Sequence, residues 1–98
     1  MSAEITVDAK ENSGGWECWV VVNDRNSQTA HLVTVDKAYL ALLIESQTSV
    51  ETLMQRSFEF LLKREPKESI LGNFDLSVIS RYFPDYEREI SQMLRNEL

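Results

Sequence analysis

The chain contains one cysteine and one histidine, residue types that can supply a nucleophile and its general base. Cys18 lies in the apolar run WECWVVV, and His31 lies in TAHLVTV. Both runs are typical of β-strands, and neither carries the turn that exposes a catalytic nucleophile. We therefore expect Cys18 to be a small core side chain and His31 to be a hydrogen-bonded or solvent-facing histidine. The sequence predicts no catalytic residue and no enzyme.

The sequence also predicts no metal ion and no cofactor. A structural zinc site needs four ligands, which one cysteine and one histidine do not provide. Asp85, Glu87 and Glu89 alternate along one predicted helix, so their carboxylates face apart instead of converging on a cation. Gly14-Gly15 lies between two predicted strands and precedes no helix, so a hairpin turn is expected there and not a phosphate-binding loop.

Size and charge indicate a small acidic protein. The 98 residues fit a single domain spanning 1–98. Sixteen acidic residues against ten basic ones give a formal net charge of −6, which repels phosphate backbones and anionic lipid. The start, MSAEITVDAK, lacks the apolar core of a signal peptide, and no apolar run approaches the roughly 20 residues of a membrane span. We therefore expect a cytoplasmic protein that binds neither nucleic acid nor membranes.

The first third of the chain predicts three strands, over about residues 3–35. AEITVDA alternates apolar and polar residues, and WECWVVVN and TAHLVTVD are rich in β-branched and aromatic residues. The intervening KENSGG and NDRNSQ supply turn residues. Short loops between successive strands favour an antiparallel meander.

The remaining two thirds predict four to five helices, over about residues 37–97, packed on the sheet in an α+β fold. Asp36 is a suitable N-cap for the first helix. Thr48 and Glu51 have the spacing of a capping box at the start of the next. Gly72 is placed to end a short helical turn as its C′ residue.

Residues 58–70, FEFLLKREPKESI, place charge and proline between two apolar runs. Lys63 and Arg64 suit a helix C-terminus, and Pro66 prevents the helix from continuing. Because the mixed charges nearly cancel, we predict a joint between helices and not a binding site. Three apolar side chains beyond this joint are expected to enter the core: Ile70, Leu71 and Phe74.

Two segments carry a resemblance. HLVTVDKAYLALLIESQTSVETLMQRSFEFLLKRE resembles ribbon-helix-helix regulators and antitoxins in its order of strand, short helix, turn and longer helix. That resemblance implies a dimer that binds DNA and a partner protein. SFEFLLKREPKESILGNFDLSVISRYFPDYEREI, residues 57–90, resembles small uncharacterised bacterial proteins. This second resemblance implies a bacterial cytoplasmic protein and brings no activity, cofactor or site.

The second and third predicted strands are apolar on both faces, which is unusual for a small sheet covered by helices on one side only. Either helices cover both faces or a second chain covers one of them. We therefore predict a non-enzymatic protein-interaction module that binds itself, as a homodimer, or another protein. The edge strand AEITVDA offers a second route to self-association. The residues predicted to line the partner interface are Trp19, Val21, Val33 and Val35.

Overall fold

Three strands come first in the chain, and helices follow with one short strand among them. The computed structural model describes residues 3–45 and 47–96. The strands are β1 Glu4–Asn12, β2 Gly15–Asn23, β3 Gln28–Asp36 and β4 Asn73–Asp75. The helices are α1 Lys37–Leu43, α2 Val50–Leu62, α3 Ile79–Tyr82 and α4 Tyr86–Arg95, with 3₁₀ turns at Lys67–Ser69 and Leu76–Val78. The predicted α+β class is confirmed. No helix of the described residues has the length and apolarity needed to cross a membrane.

The sheet has the strand order β1-β2-β3-β4. The predicted antiparallel meander of β1, β2 and β3 is confirmed, and β4 adds a parallel pairing with β3 that the sequence did not predict. Gly72 leads into β4, where its carbonyl accepts a hydrogen bond from the Leu32 N–H at 2.9 Å. The prediction that Gly72 is a helix C′ residue is wrong, because its φ is not positive.

Strand register decides which apolar residues share a face. Cys18 pairs with Val33 and Val20 pairs with His31, and residues directly opposite in a sheet point to the same side. The His31 and Phe58 rings, with centroids 5.2 Å apart, show that this side faces α2. The sheet residues buried under the helices are Cys18, Val20, Val22, His31, Val33 and Val35.

Helix α2 supplies the other half of the core. Its predicted apolar stripe is confirmed, with Leu53, Met54 and Phe58 all fully buried. The Ser57 hydroxyl lies 2.7 Å from the Tyr86 hydroxyl in the buried contact between α2 and α4. The predicted capping box of Thr48 and Glu51 is wrong, since Ser49 is the N-cap of α2 and its hydroxyl accepts from the Thr52 N–H.

The joint predicted after α2 is confirmed in outline. Arg64 donates to the Phe60 carbonyl at 3.0 Å, and its guanidinium lies 3.6 Å from the centre of the Phe60 ring. The chain then turns and places Ile70 and Phe74 in the core. Leu71 was expected there too, but it is 49% exposed, because the chain becomes extended at this point and successive side chains diverge.

A buried lysine fastens this joint to the β2–β3 hairpin. The Lys67 side chain is only 6% exposed, and its ammonium lies 2.6 Å from the Asp24 carboxylate and 2.7 Å from the Glu68 carboxylate. The Ser27 hydroxyl donates to Glu68 at 3.2 Å. We refer to these four residues as the Lys67 cluster. The Lys67–Asp24 ion pair and the Ser27–Glu68 hydrogen bond join segments that lie about forty positions apart in sequence.

The β1–β2 hairpin turns at Ser13 and Gly14, as the glycine pair predicts. The Asn12 side-chain oxygen accepts from the N–H groups of Gly14, at 3.0 Å, and Gly15, at 2.8 Å. Gly15 is buried against β3, and a Cβ atom there would lie 2.1 Å from the Val35 carbonyl oxygen. At Gly14 the nearest atom to an added Cβ is an Asn12 side-chain oxygen at 3.9 Å. Only Gly15 therefore requires the absence of a side chain.

We expect Gly15→Ala to lower the free energy of unfolding by about 2–3 kcal/mol, because the new methyl group must push the β3 backbone aside. Gly14→Ala is the matched control and should change the unfolding free energy by less than about 1 kcal/mol. Urea denaturation of both variants provides the measurement. Equal stability of the two variants would show that the β2 and β3 backbones do not approach closely at Gly15.

The Lys67 cluster makes the free energy of unfolding depend on pH in the acidic range. The hydrogen bond from Lys67, assisted by the Asn26 and Ser27 N–H groups, lowers the pKa of Asp24 from 3.8 to about 2. A carboxyl group whose pKa is lower in the folded state than in the unfolded state stabilises the fold at pH values above its unfolded-state pKa. This contribution is lost as the pH falls through the folded-state pKa.

We predict that the Asp24→Asn variant loses less stability than wild type does as the pH falls from about 4 to about 2. Unfolding free energies of wild type and variant should therefore converge as the pH falls to 2, with wild type the more stable at pH 6. Asp85→Asn, outside the cluster, controls for the loss of one carboxylate. Parallel pH profiles for wild type and Asp24→Asn would contradict the ion pair.

Candidate interaction surfaces

Cys18 lies in the core, as predicted, at the centre of β2. Its side chain is fully buried between the sheet and the helices. Burial, together with the nearby carboxylates of Glu51 and Asp8, raises the pKa of the thiol to about 11. Since the thiolate is the nucleophilic form, this cysteine has neither the ionisation nor the access that a reactive thiol needs.

His31 is a satisfied buried histidine. Its Nδ1 lies 2.7 Å from the Leu71 carbonyl oxygen, and because a carbonyl only accepts, Nδ1 carries the proton. Nε2 lies within hydrogen-bond distance of the Thr29 hydroxyl, at 2.8 Å. Both ring nitrogens are occupied, and the side chain is 2% exposed. The imidazole thus joins β3 to the segment before β4 and presents no free nitrogen to a substrate.

Among the described residues, the remaining polar groups form no candidate metal site. Across residues 3–45 and 47–96, no three histidine, cysteine or acidic side chains lie close enough to hold a metal ion. Every buried side-chain nitrogen or oxygen in those ranges has a hydrogen-bond partner. Burial and hydrogen bonding of these groups stabilise the fold, so the surfaces of the protein are the candidate functional features.

The four residues predicted to line a partner interface lie on two different faces. Trp19 is 49% exposed, and Val21 is half-buried on the same side of the sheet. Val33 and Val35 lie on the helix side and are buried, so their assignment to this interface is wrong. The physical reason is the register, which pairs Val33 with Cys18 and not with Trp19.

The β3 residues that do lie beside Trp19 and Val21 are Leu32 and Ala30, their direct partners across the strands. Leu32 is half-buried and Ala30 is exposed. We call this set of four residues the open face, because no helix of the described residues packs on it. Cross-strand pairs of this kind join their side chains into one continuous apolar surface.

The open face has an acidic border. On its β1 side, Asp8 lies opposite Trp19. The β-strand residues that share this side and carry charge are the acids Glu4, Asp8, Glu17, Asp36 and Asp75 and the single base Lys10. Five carboxylates against one ammonium give the border a negative charge. An apolar centre with a charged border is the usual composition of a protein-binding patch.

A second apolar surface lies between the joint and α3. It is a groove of about 390 Å³ in which Leu71 and Tyr82 are exposed, 49% and 68%, and Glu65 is a charged lining residue. The remaining lining residues are Leu61, Ser69, Ile70, Phe74, Val78, Ile79 and Phe83. Tyr82 and Phe83 belong to the sequence RYFPDY, whose aromatic residues are divided between this groove and the core, where Tyr86 is fully buried.

Sequence reasoning found Trp19 and Val21 but missed Ala30 and Leu32. Alternation along each strand separates two faces, yet it does not say which face of β2 continues into which face of β3. The loop Asp24–Ser27, between the paired residues Asn23 and Gln28, fixes that choice. Counting outward from this loop is the signal that would have placed Leu32 beside Trp19.

Comparison of the chain with protein-family models, with curated proteins and with solved structures gives no match in any of the three. The resemblances to ribbon-helix-helix proteins and to small bacterial proteins remain predictions. The interpretation of function therefore depends on the surfaces described above.

Proposed function

We propose that this protein is a non-enzymatic interaction domain that binds a partner protein through the open face and also associates with itself. The observation that carries the proposal is Trp19, half-exposed at the centre of an apolar sheet face. A large aromatic side chain on such a surface is costly to leave in water and is the residue type most often dominant in protein interfaces. The buried and satisfied Cys18 and His31 support a role without catalysis.

Charge indicates what kind of partner fits the open face. Its acidic border favours a protein whose apolar patch is bordered by lysine or arginine, since opposite charges speed association and favour correct partners. A second copy of this chain fits less well, because the carboxylates of Glu4, Asp8 and Glu17 would face the same carboxylates across a two-fold axis. Self-association is therefore assigned to a different surface.

The ribbon-helix-helix alternative is supported only by the order of β3, α1 and α2 among the described residues. Such regulators dimerise through the strand that precedes the two helices, which in this chain is β3. Here one edge of β3 is paired with β2 along its whole length, and β4 occupies the centre of the other edge at Leu32, Val33 and Thr34, where a second copy would have to pair. The net charge of −6 also opposes binding to DNA.

We expect Trp19→Ser to abolish partner binding while leaving the fold intact. Loss of a central tryptophan from an interface costs about 2 kcal/mol or more, which is about a 30-fold loss of affinity. The measurement is quantitative capture of partner proteins from a lysate of the native host by immobilised wild type and variant. A protein enriched on wild type should fall to background on Trp19→Ser.

Leu42→Ser is the matched control, since Leu42 is 66% exposed but lies in α1, away from the sheet. Circular dichroism and thermal melting verify that both variants fold. The proposal predicts unchanged capture on Leu42→Ser. It fails if Trp19→Ser retains the captured protein, or if both variants lose it equally.

A further inference from the structure

Strand β1 forms one end of the sheet and presents a long free edge. It pairs with β2 in an unbroken register from Glu4↔Asn23 to Asn12↔Gly15, with no bulge and no proline. Edge strands are usually protected by bulges, prolines, several lysines or a covering segment. Lys10 is the one basic residue within β1. At about 3.4 Å per residue, its nine residues give an edge of roughly 30 Å.

The hydrogen-bonding pattern of the two hairpins determines which backbone groups of β1 point to this edge. Antiparallel strands exchange hydrogen bonds at every second residue pair, and the Asp24 N–H donates to the Ser27 carbonyl at the β2–β3 turn. Even-numbered residues of β2 therefore bond to β3, and odd-numbered residues bond to the even-numbered residues of β1. The free backbone groups of β1 belong to four residues: Ile5, Val7, Ala9 and Glu11.

A two-fold axis at Val7 makes this edge complementary to its own copy. Val7 then faces Val7 of the second copy and exchanges both backbone hydrogen bonds with it. On the side of the open face, Lys10 lies opposite Glu4 of the second copy, and the symmetry produces this ion pair twice. On the helix side, Ile5 lies opposite Ala9, so half-buried apolar side chains meet.

Neighbouring registers are disfavoured by charge. Moving the axis to Thr6 places Glu4 opposite Asp8 of the second copy, and the symmetry repeats this repulsive pair. Moving the axis to Asp8 places two aspartates directly against each other. Like charges directly opposite destabilise a strand pair, which disfavours both of these registers. An axis at Ala9 pairs Asp8 with Lys10 but places Val7 opposite Glu11, so the axis at Val7 is the one that combines attraction with matched apolar residues.

We propose that two copies of this chain pair antiparallel along β1, with Val7 on the two-fold axis, and form one eight-stranded sheet. This inference rests on the self-association contained in the proposed function and adds its surface and register. The open faces of both copies remain uncovered on the same side of the combined sheet. The dimer thus presents two partner-binding patches.

A groove beside the edge provides further contact area. It measures about 520 Å³ and is lined by Ala3 and Ile5, by Leu62 and Lys63 at the end of α2, and by the charged members of the Lys67 cluster. A stable interface buries about 800 Å² per partner, more than a strand pair alone supplies. We expect the second copy to bury the remaining area over this groove. The expected dissociation constant is in the micromolar range.

The test is sedimentation velocity over micromolar to sub-millimolar concentrations, with variants of the Glu4–Lys10 pair. We expect wild type to dimerise, and Glu4→Lys and Lys10→Glu each to weaken dimerisation about tenfold, because each replaces two attractive pairs with two repulsive ones. The double variant Glu4→Lys/Lys10→Glu restores both pairs and should return to within about threefold of wild type. Both positions are exposed, so neither change removes core packing. Because Lys10 lies opposite Glu17 of β2, circular dichroism and thermal melting must verify that each Lys10→Glu variant is folded.

Glu45→Lys alters net charge as much as Glu4→Lys does but lies outside the sheet, and it should leave dimerisation unchanged. A monomeric wild type, single variants without effect, or a charge swap that fails to restore the dimer would each overturn the inference. Trp19→Ser separates the two proposals, since it should dimerise as wild type does while losing the partner. Loss of the dimer in Trp19→Ser would assign self-association to the open face instead.

Discussion

The register between β2 and β3 is the constraint on which the rest of the structure depends. It places Cys18 beside Val33 and Val20 beside His31, so one side of the central strands can be buried by α2. The same register sends Trp19 and Leu32 together to the other side. A shift of one residue would exchange buried and exposed side chains along β3. The core and the open face are therefore two consequences of one pairing.

The few polar groups inside the protein maintain that arrangement. His31 holds the Leu71 carbonyl at 2.7 Å and so fixes the approach to β4, which pairs with β3 in parallel. The Lys67 cluster ties the β2–β3 turn to the joint after α2. The open face and the edge of β1 are the surfaces on which the proposed function depends. The two surfaces lie on one sheet and do not compete for the same residues.

Much of this fold follows from local sequence. Alternation and turn residues give β1, β2 and β3, and the apolar stripe with its caps gives α2, because these signals act over a few residues. The short strand β4 could not be predicted, since three residues carry little pattern and their pairing with β3 joins positions about forty apart. For the same reason, half of the predicted interface was wrong: Val33 and Val35 are as apolar as Val21, and only long-range register separates them.

The central claim is that one side of the sheet is sealed and the other is open. Thiol titration with a disulfide reagent under native conditions tests it most directly, because wild type contains only Cys18 and Ala30→Cys adds one thiol on the open face. We predict no rapidly reacting thiol in native wild type, one per chain in Ala30→Cys, and one in wild type after denaturation. Rapid reaction of native wild type, or protection of the thiol introduced by Ala30→Cys, would contradict this account.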